Sequence, residues 1–244
     1  MKNIIQNTLI AALFTLAATQ WNVNAADTDN KETAPEIVTP GTHGSAPSDA
    51  IVLFDGKNLD AWQSGDDAAK WNLLTSESAF EVKKGTGSLK TKKSFGDVQL
   101  HIEWASPAEV KGNGQGRGNS GVYLQGRYEI QVLDSFNNET YFNGQAGSFY
   151  NNAAPLVNAT RPPGKWQTYD IIFIAPKAQE DGSVKSGSFT VLHNGVLIQN
   201  QTPIKGGATT AAAFKGVAPK GPLVLQDHGN PVRFRNIWIR NLDK

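Results

Sequence analysis

The sequence predicts an all-β domain, a sandwich or a barrel, running from about Ile51 onward. Three observations carry that expectation. Apolar and polar residues alternate in short runs, with the period of two that a half-buried strand requires. Turn signals separate the runs, and the 24 glycines supply many of them. Helical periodicity is poor throughout.

Val98, Leu100, Ile102 and Trp104 alternate with Gln99, His101 and Glu103, which makes a strand with one apolar face. Ser120 to Leu133 is a second extended stretch. A turn at Gly126-Arg127 would fold it into a hairpin; without a turn it runs straight. Trp166 to Ala175 is a third, and its unbroken Ile171-Ile172-Phe173-Ile174 suits a strand covered on both faces. Phe189 and Val191 lead into His193-Asn194-Gly195-Val196, where Asn-Gly between apolar runs signals a type I′ hairpin turn. Thr209 to Phe214 has room for one or two helical turns. Leu223 to Gln226 and Val232 to Ile239 are the closing strands.

Ahead of this domain, Lys2, the apolar run Leu9 to Ala18 and Val23-Asn24-Ala25 have the order of a secretory signal cleaved after Ala25. The apolar run is too short to span a bilayer. Residues 26–50 are rich in Thr, Asp, Pro, Gly and Ser and read as a disordered linker. With no cysteine, disulfides, thiolate zinc sites, cysteine nucleophiles and a lipoprotein anchor are excluded. The expected location is periplasmic or extracellular. A net charge of +1 and basic runs no longer than two give no reason to expect nucleic acid or membrane as a partner. The sequence sets no oligomeric state.

Two constellations have chemical content. In Asn119 to Asp134, Glu129 and Gln131 lie two residues apart on a polar strand face, about 7 Å along it. Tyr123, Gln125 and Arg127 join them if the chain runs straight. A solvent-facing strand would also alternate, but Tyr, Gln, Arg and Glu offer the directed hydrogen bonds and aromatic plate that hold a sugar. The second is Gln226-Asp227-His228-Gly229-Asn230-Pro231-Val232-Arg233, where Gln226 and His228 share parity at a strand end. Histidine suits general acid–base work near neutral pH, although a loop histidine can equally serve a turn. His43, His101 and His193 read as structural or solvated. Phosphate-loop, GxSxG, HExxH and EF-hand patterns are absent. Gln131 and Leu133 stand where laminarinase-type glucanases carry further acids, which argues against two-carboxylate hydrolysis on this strand.

An ordered set of motifs resembles the 3-keto-disaccharide hydrolase family. It comprises Leu53-Phe54-Asp55-Gly56-Lys57-Asn58-Leu59-Asp60-Ala61-Trp62, Gly96 to Trp104, Asn119 to Leu124, and Tyr128 to Ser135. Trp166-Gln167-Thr168-Tyr169-Asp170, Asn194-Gly195 and Phe234 to Ile239 follow in the family's order, and Ala61 departs from its usual glycine. The resemblance implies a jelly-roll β-sandwich of the concanavalin A-like lectin/glucanase type over residues 51–244. It also implies a small carbohydrate substrate whose C3 hydroxyl is oxidised to a ketone. That ketone acidifies the hydrogen on C2, so a base can form an enolate that expels the C1 substituent with help from an acid. Cleavage would follow by elimination and hydration, or by direct hydrolysis. His228 is the expected base or acid, with Glu129 as its partner and Asp134 as a further acid. Arg127 or Arg233 would steady the enolate oxygen. The sequence requires no cofactor, but a divalent metal held by Glu129, Asp134 and His228 would serve the same purpose. Asn119, Tyr123, Gln125, Arg127, Gln131, Gln226, Asn230 and Arg233 are the expected substrate-binding residues. A non-catalytic carbohydrate-binding module on the same fold is the alternative. A base and an acid facing one cleft would separate the two.

Overall fold

The computed structural model describes residues 34–42 and 44–243. The expected signal peptide, the first part of the linker and His43 lie outside the described residues. Strands dominate, and they run in chain order as β1 (Ile51–Phe54), β2 (Trp62–Ser64), β3 (Asp67–Ala68), β4 (Asn72–Leu74), β5 (Ala79–Glu81), β6 (Leu89–Phe95), β7 (Val98–Ala105) and β8 (Ser120–Leu124). They continue as β9 (Tyr128–Val132), β10 (Gln167–Ile174), β11 (Lys177–Ala178), β12 (Val184–Lys185), β13 (Gly187–His193), β14 (Val196–Ile204), β15 (Gly221–Leu225) and β16 (Arg233–Asn241).

An eight-stranded sheet has the order β14-β13-β10-β7-β16-β5-β4, with β1 also pairing β16. A six-stranded sheet has the order β3-β2-β6-β15-β8-β9, and β11 and β12 form a small pair. The two larger sheets are antiparallel and bury their apolar faces against one another. Leu100, Ile102, Ile171, Phe173, Phe189 and Phe234 come from one side; Leu89, Val122, Tyr128, Ile130, Leu223 and Leu225 come from the other. Tyr128 and Phe173 meet across the interior at 5.8 Å. This is a jelly-roll β-sandwich, as the sequence leads one to expect.

The stretch from Ser120 turns back on itself, but one residue earlier than Gly126-Arg127. Gln125 and Gly126 both have positive φ, 54° and 63°, and Arg127 N donates to Leu124 O at 3.0 Å, which makes a type I′ turn. Tyr123 is thereby opposite Glu129, and Gly121 opposite Gln131. Asn194-Gly195 makes the expected turn with φ of 53° and 81°.

Three expectations need revision. β10 is not covered on both faces: Ile171 and Phe173 enter the core, while Ile172 is 42% exposed and Ile174 is exposed beside it. A continuous apolar run is here one core face plus one uncovered face. Thr209 to Phe214 forms a turn rather than a helix. Its backbone is drawn to the hairpin tip instead, with Thr209 N donating to Arg127 O at 2.9 Å and Phe214 N to Gly126 O at 3.2 Å. Residues 44–50, assigned above to the linker, are anchored to the eight-stranded sheet. Gly44 O accepts from Trp238 Nε1 at 2.8 Å and Asn236 Nδ2 at 3.1 Å, and Arg240 grips Asp49 at 2.6 Å.

Candidate active site on the six-stranded sheet

Because side chains alternate along a strand, β8 and β9 send Val122, Leu124, Ile130 and Val132 into the core. Gly121, Tyr123, Glu129 and Gln131 therefore share the opposite face. The edge beyond β9 is occupied by a returning segment. Phe149 bridges to Ile130, Gln131 N donates to Ser148 O at 3.0 Å, and Tyr150 N donates to Glu129 O at 3.1 Å. Phe149 points into the core, so Ser148 and Tyr150 face outward with Gln131 and Glu129. On the other side, Gln226 N donates to Gly121 O at 3.0 Å. One outward row thus reads Val224, Tyr123, Glu129 and Tyr150 across the sheet.

Glu129 is 2% exposed. Burial pushes its carboxyl up to about 7, against the lowering effect of a hydrogen bond from the Tyr123 phenol. A Cβ on Gly121 would collide with Glu129 Oε1 and the Tyr123 ring, so the glycine leaves the hollow into which both lean. Burial and the neighbouring Glu129 charge hold the Tyr123 phenol far above its ordinary value, which keeps it protonated. Tyr123 also accepts from Gln226 Nε2 at 3.2 Å. Gln131 Nε2 donates to Gln115 Oε1 at 2.9 Å; with its amide turned over, the nitrogen reaches Glu129 Oε1 and Ser120 O, each at 3.1 Å. Gln115 is fixed by donating to Gly144 O at 2.8 Å and Thr140 Oγ1 at 3.1 Å.

Above this floor, the phenol oxygens of Tyr141 and Tyr150 are 2.5 Å apart. Burial, Tyr150 and the Glu129 charge push the Tyr141 phenol well above its ordinary range. The next residue, Phe142, is 82% exposed. Glu129 Oε2, Gln226 Oε1 and Ser148 Oγ are buried without a hydrogen-bond partner among the described residues. Native interiors leave few such atoms, and each one asks for a polar ligand or water.

The other expected site residues are placed elsewhere or are already occupied. Asp134 is buried against Arg117, whose Nε donates to it at 2.7 Å. Arg127 pins the 209–216 loop, donating to Gly216 O at 3.0 Å and Gln125 O at 2.8 Å and stacking on Phe214. Gln125, at the turn, donates to Pro219 O at 3.3 Å and Phe95 O at 3.4 Å. Asn119 and Asn230 bind one another at 3.1 Å, and Asn119 also holds Gln115 O at 2.6 Å. Arg233 belongs to the eight-stranded sheet, where it pairs with Glu77 over the Trp166 ring. Neither Arg127 nor Arg233 is therefore placed to steady an enolate beside Glu129. His228 is exposed two residues past Gln226 and makes no hydrogen bond or ion pair among the described residues. Asp134 is committed to Arg117, and no group of three or more His, Cys, Asp or Glu side chains among the described residues is placed to hold a metal. Glu129, Asp134 and His228 are thus not one ligand set.

The sequence reading missed Tyr141, Ser148, Tyr150 and Gln115. Their only local signal is a cluster of aromatics, Tyr141, Phe142 and Tyr150, in an Asn- and Gly-rich stretch.

A candidate glycosyl hydrolase of known structure from Parabacteroides distasonis is 51% identical, over 86% of this chain and 93% of that chain, with a TM-score of 0.80. A second candidate glycosyl hydrolase from the same organism is 20% identical over 80% of this chain and 94% of that one, with a TM-score of 0.58, and shares the fold. No curated protein matches the chain. Residues 49–240, which hold both sheets and the whole Glu129 site, match the family described as a 3-keto-alpha-glucoside-1,2-lyase-like domain, and the chain belongs to that family.

Proposed function

We propose that the domain cleaves the glycosidic bond of 3-keto-glycosides by elimination across C1 and C2, with hydration of the unsaturated product as a later step. By its family the chain is a carbohydrate-active protein. The observation that supports the reading is the Glu129 carboxyl. It is buried, one oxygen has no partner among the described residues, and its pKa of about 7 leaves it a usable base at neutral pH. A phenol stands beside it rather than a second carboxyl. That suits proton abstraction better than two-carboxylate hydrolysis. Tyr123, clamped by Gln226, orients the base. The amides of Gln131 and Gln226 and the Ser148 hydroxyl supply hydrogen bonds for sugar oxygens.

The test pairs a 3-keto-α-glucoside with its parent glucoside. The purified domain is expected to release the aglycone from the first only, and to exchange deuterium at C2 with solvent. Equal turnover of both would remove the keto requirement. Binding without turnover of either would make the domain a carbohydrate-binding module. The same reading has the protein act after export; the intact mass of secreted protein should correspond to a chain starting at Ala26, and retention of residues 1–25 would overturn it.

A further inference from the structure

Elimination needs an acid as well as a base, because the departing alkoxide must gain a proton. Tyr123 is poorly placed to give one. Its phenol is buried, donates to Glu129 and accepts from Gln226. Tyr150 is different. It stands beside Glu129 in the outward row, is partly exposed, and its oxygen touches the Tyr141 oxygen at 2.5 Å. Either phenol can donate in that contact, and once Tyr150 gives up its proton Tyr141 can donate to the anion and steady it.

We propose that Tyr150 is the general acid of this elimination and that Tyr141 is its positioning partner, an inference that rests on the function proposed above. Glu129 takes the proton from C2, and the C2–H electrons form the enolate of the C3 ketone. The ketone then re-forms, a C1–C2 double bond is made, and the C1–O bond breaks. Its electron pair leaves with the aglycone oxygen, which takes the Tyr150 proton. The products are a 1,2-unsaturated 3-keto sugar and the free alcohol. Protonated Glu129 and the Tyr150 phenolate remain, and transfer of one proton between them restores the site. No oxidant, reductant or further reactant is consumed.

The test varies the leaving group. Tyr150→Phe is expected to lower kcat/KM on a 3-keto-disaccharide, whose leaving alkoxide is strongly basic, by about 10²–10³. On the 2,4-dinitrophenyl 3-keto-glucoside, whose leaving group needs no proton, the loss should stay within about threefold, with C2 deuterium exchange retained. Tyr141→Phe should reproduce the same selectivity at about a tenth of its size and shift the alkaline limb of the pH profile. Equal losses on both substrates, with exchange intact in the unmodified protein, would overturn the Tyr150 assignment and leave the elimination standing. Retention of a C2 deuterium label in the sugar product of the unmodified protein would overturn the elimination itself, and this role with it. Should Tyr150→Phe fold poorly by circular dichroism, unselective losses in Tyr141→Phe decide against the proposal on their own.

Discussion

On the outer face of the eight-stranded sheet, Glu103 of β7 is surrounded by donors; on the outer face of the six-stranded sheet, Glu129 of β9 is left with an oxygen that has none among the described residues. Burial alone would raise the Glu103 pKa, but hydrogen bonds from His101, Asn236 and Arg235 outweigh it and hold the group down at about 2. Arg235 donates at 2.7 Å and Asn236 at 2.9 Å, and Arg235 lies over the Trp166 ring at 4.1 Å. His101 in turn meets Asp170 at 2.6 Å and stacks on Trp238. Charge there is balanced in place, as a network that holds structure should be. At Glu129 burial wins and the pKa rises. A carboxyl kept short of partners is less stable than it could be, and such a deficit marks a site prepared for a ligand.

Activity should separate the two faces most sharply. Glu129→Gln is expected to lower kcat on the 3-keto-glycoside by about 10²–10⁴, the usual size of a general acid–base contribution. Glu103→Leu should leave kcat within about twofold while costing about 3–5 kcal/mol of stability, because His101 and Arg235 lose their shared anion. Urea unfolding alongside initial rates measures both. Comparable activity losses at the two positions would erase the distinction.

The same contrast inverts for stability at Glu129. Its folded pKa of about 7 lies above the ordinary value of 4.5. The favourable contribution is therefore complete below pH 4.5 and lost as pH rises through 7. Above pH 7 the ionised group should cost about 3 kcal/mol, which a neutral glutamine avoids. Glu129→Gln is expected to be more stable than the natural protein at pH 8 and close to it at pH 4.5. A loss of stability at pH 8 would mean that the glutamate is structural.

The parts of the fold legible in the sequence are those set locally. The alternation of Val98 to Trp104 fixes which face of β7 is buried, and Asn194-Gly195 suits the positive φ of its turn without help from elsewhere. Parity alone brings Glu129 and Gln131 together. The turn at Gln125-Gly126 is harder to read because glutamine rarely adopts positive φ. Asp134, Arg127, Asn119 and Arg233 mislead for a different reason: residues that hold a ligand and residues that pin a loop are of the same types. Ser148 and Tyr150 become visible only when the chain returns to the edge of β9, a pairing that no local pattern encodes. The exposure of Ile172 depends likewise on what packs over a sheet, which periodicity cannot report.

The smallest expected effect compares two buried histidines, His101 and His193. Burial lowers the His101 pKa, but Asp170 and Glu103 together raise it to about 9. Its contribution to stability is complete below pH 6.5 and lost as pH rises through 9. His193 lies between Trp104 and Tyr169, and neither ring nitrogen has a partner among the described residues. Burial, with a smaller effect from the Arg161 charge, lowers its pKa to about 3. The folded state then refuses a proton that the unfolded chain accepts below pH 6.5, so stability falls as pH drops from 6.5 toward 3. By pH 5 the loss should be about 2 kcal/mol. His193→Phe, which keeps an aromatic ring among its neighbours, should flatten the acid limb of a pH–stability curve and leave the alkaline limb in place. Replacing His101 with glutamine should do the reverse. If His193→Phe leaves the acid limb as steep as before, other groups govern acid unfolding, and the neutral core histidine is not the element that sets it.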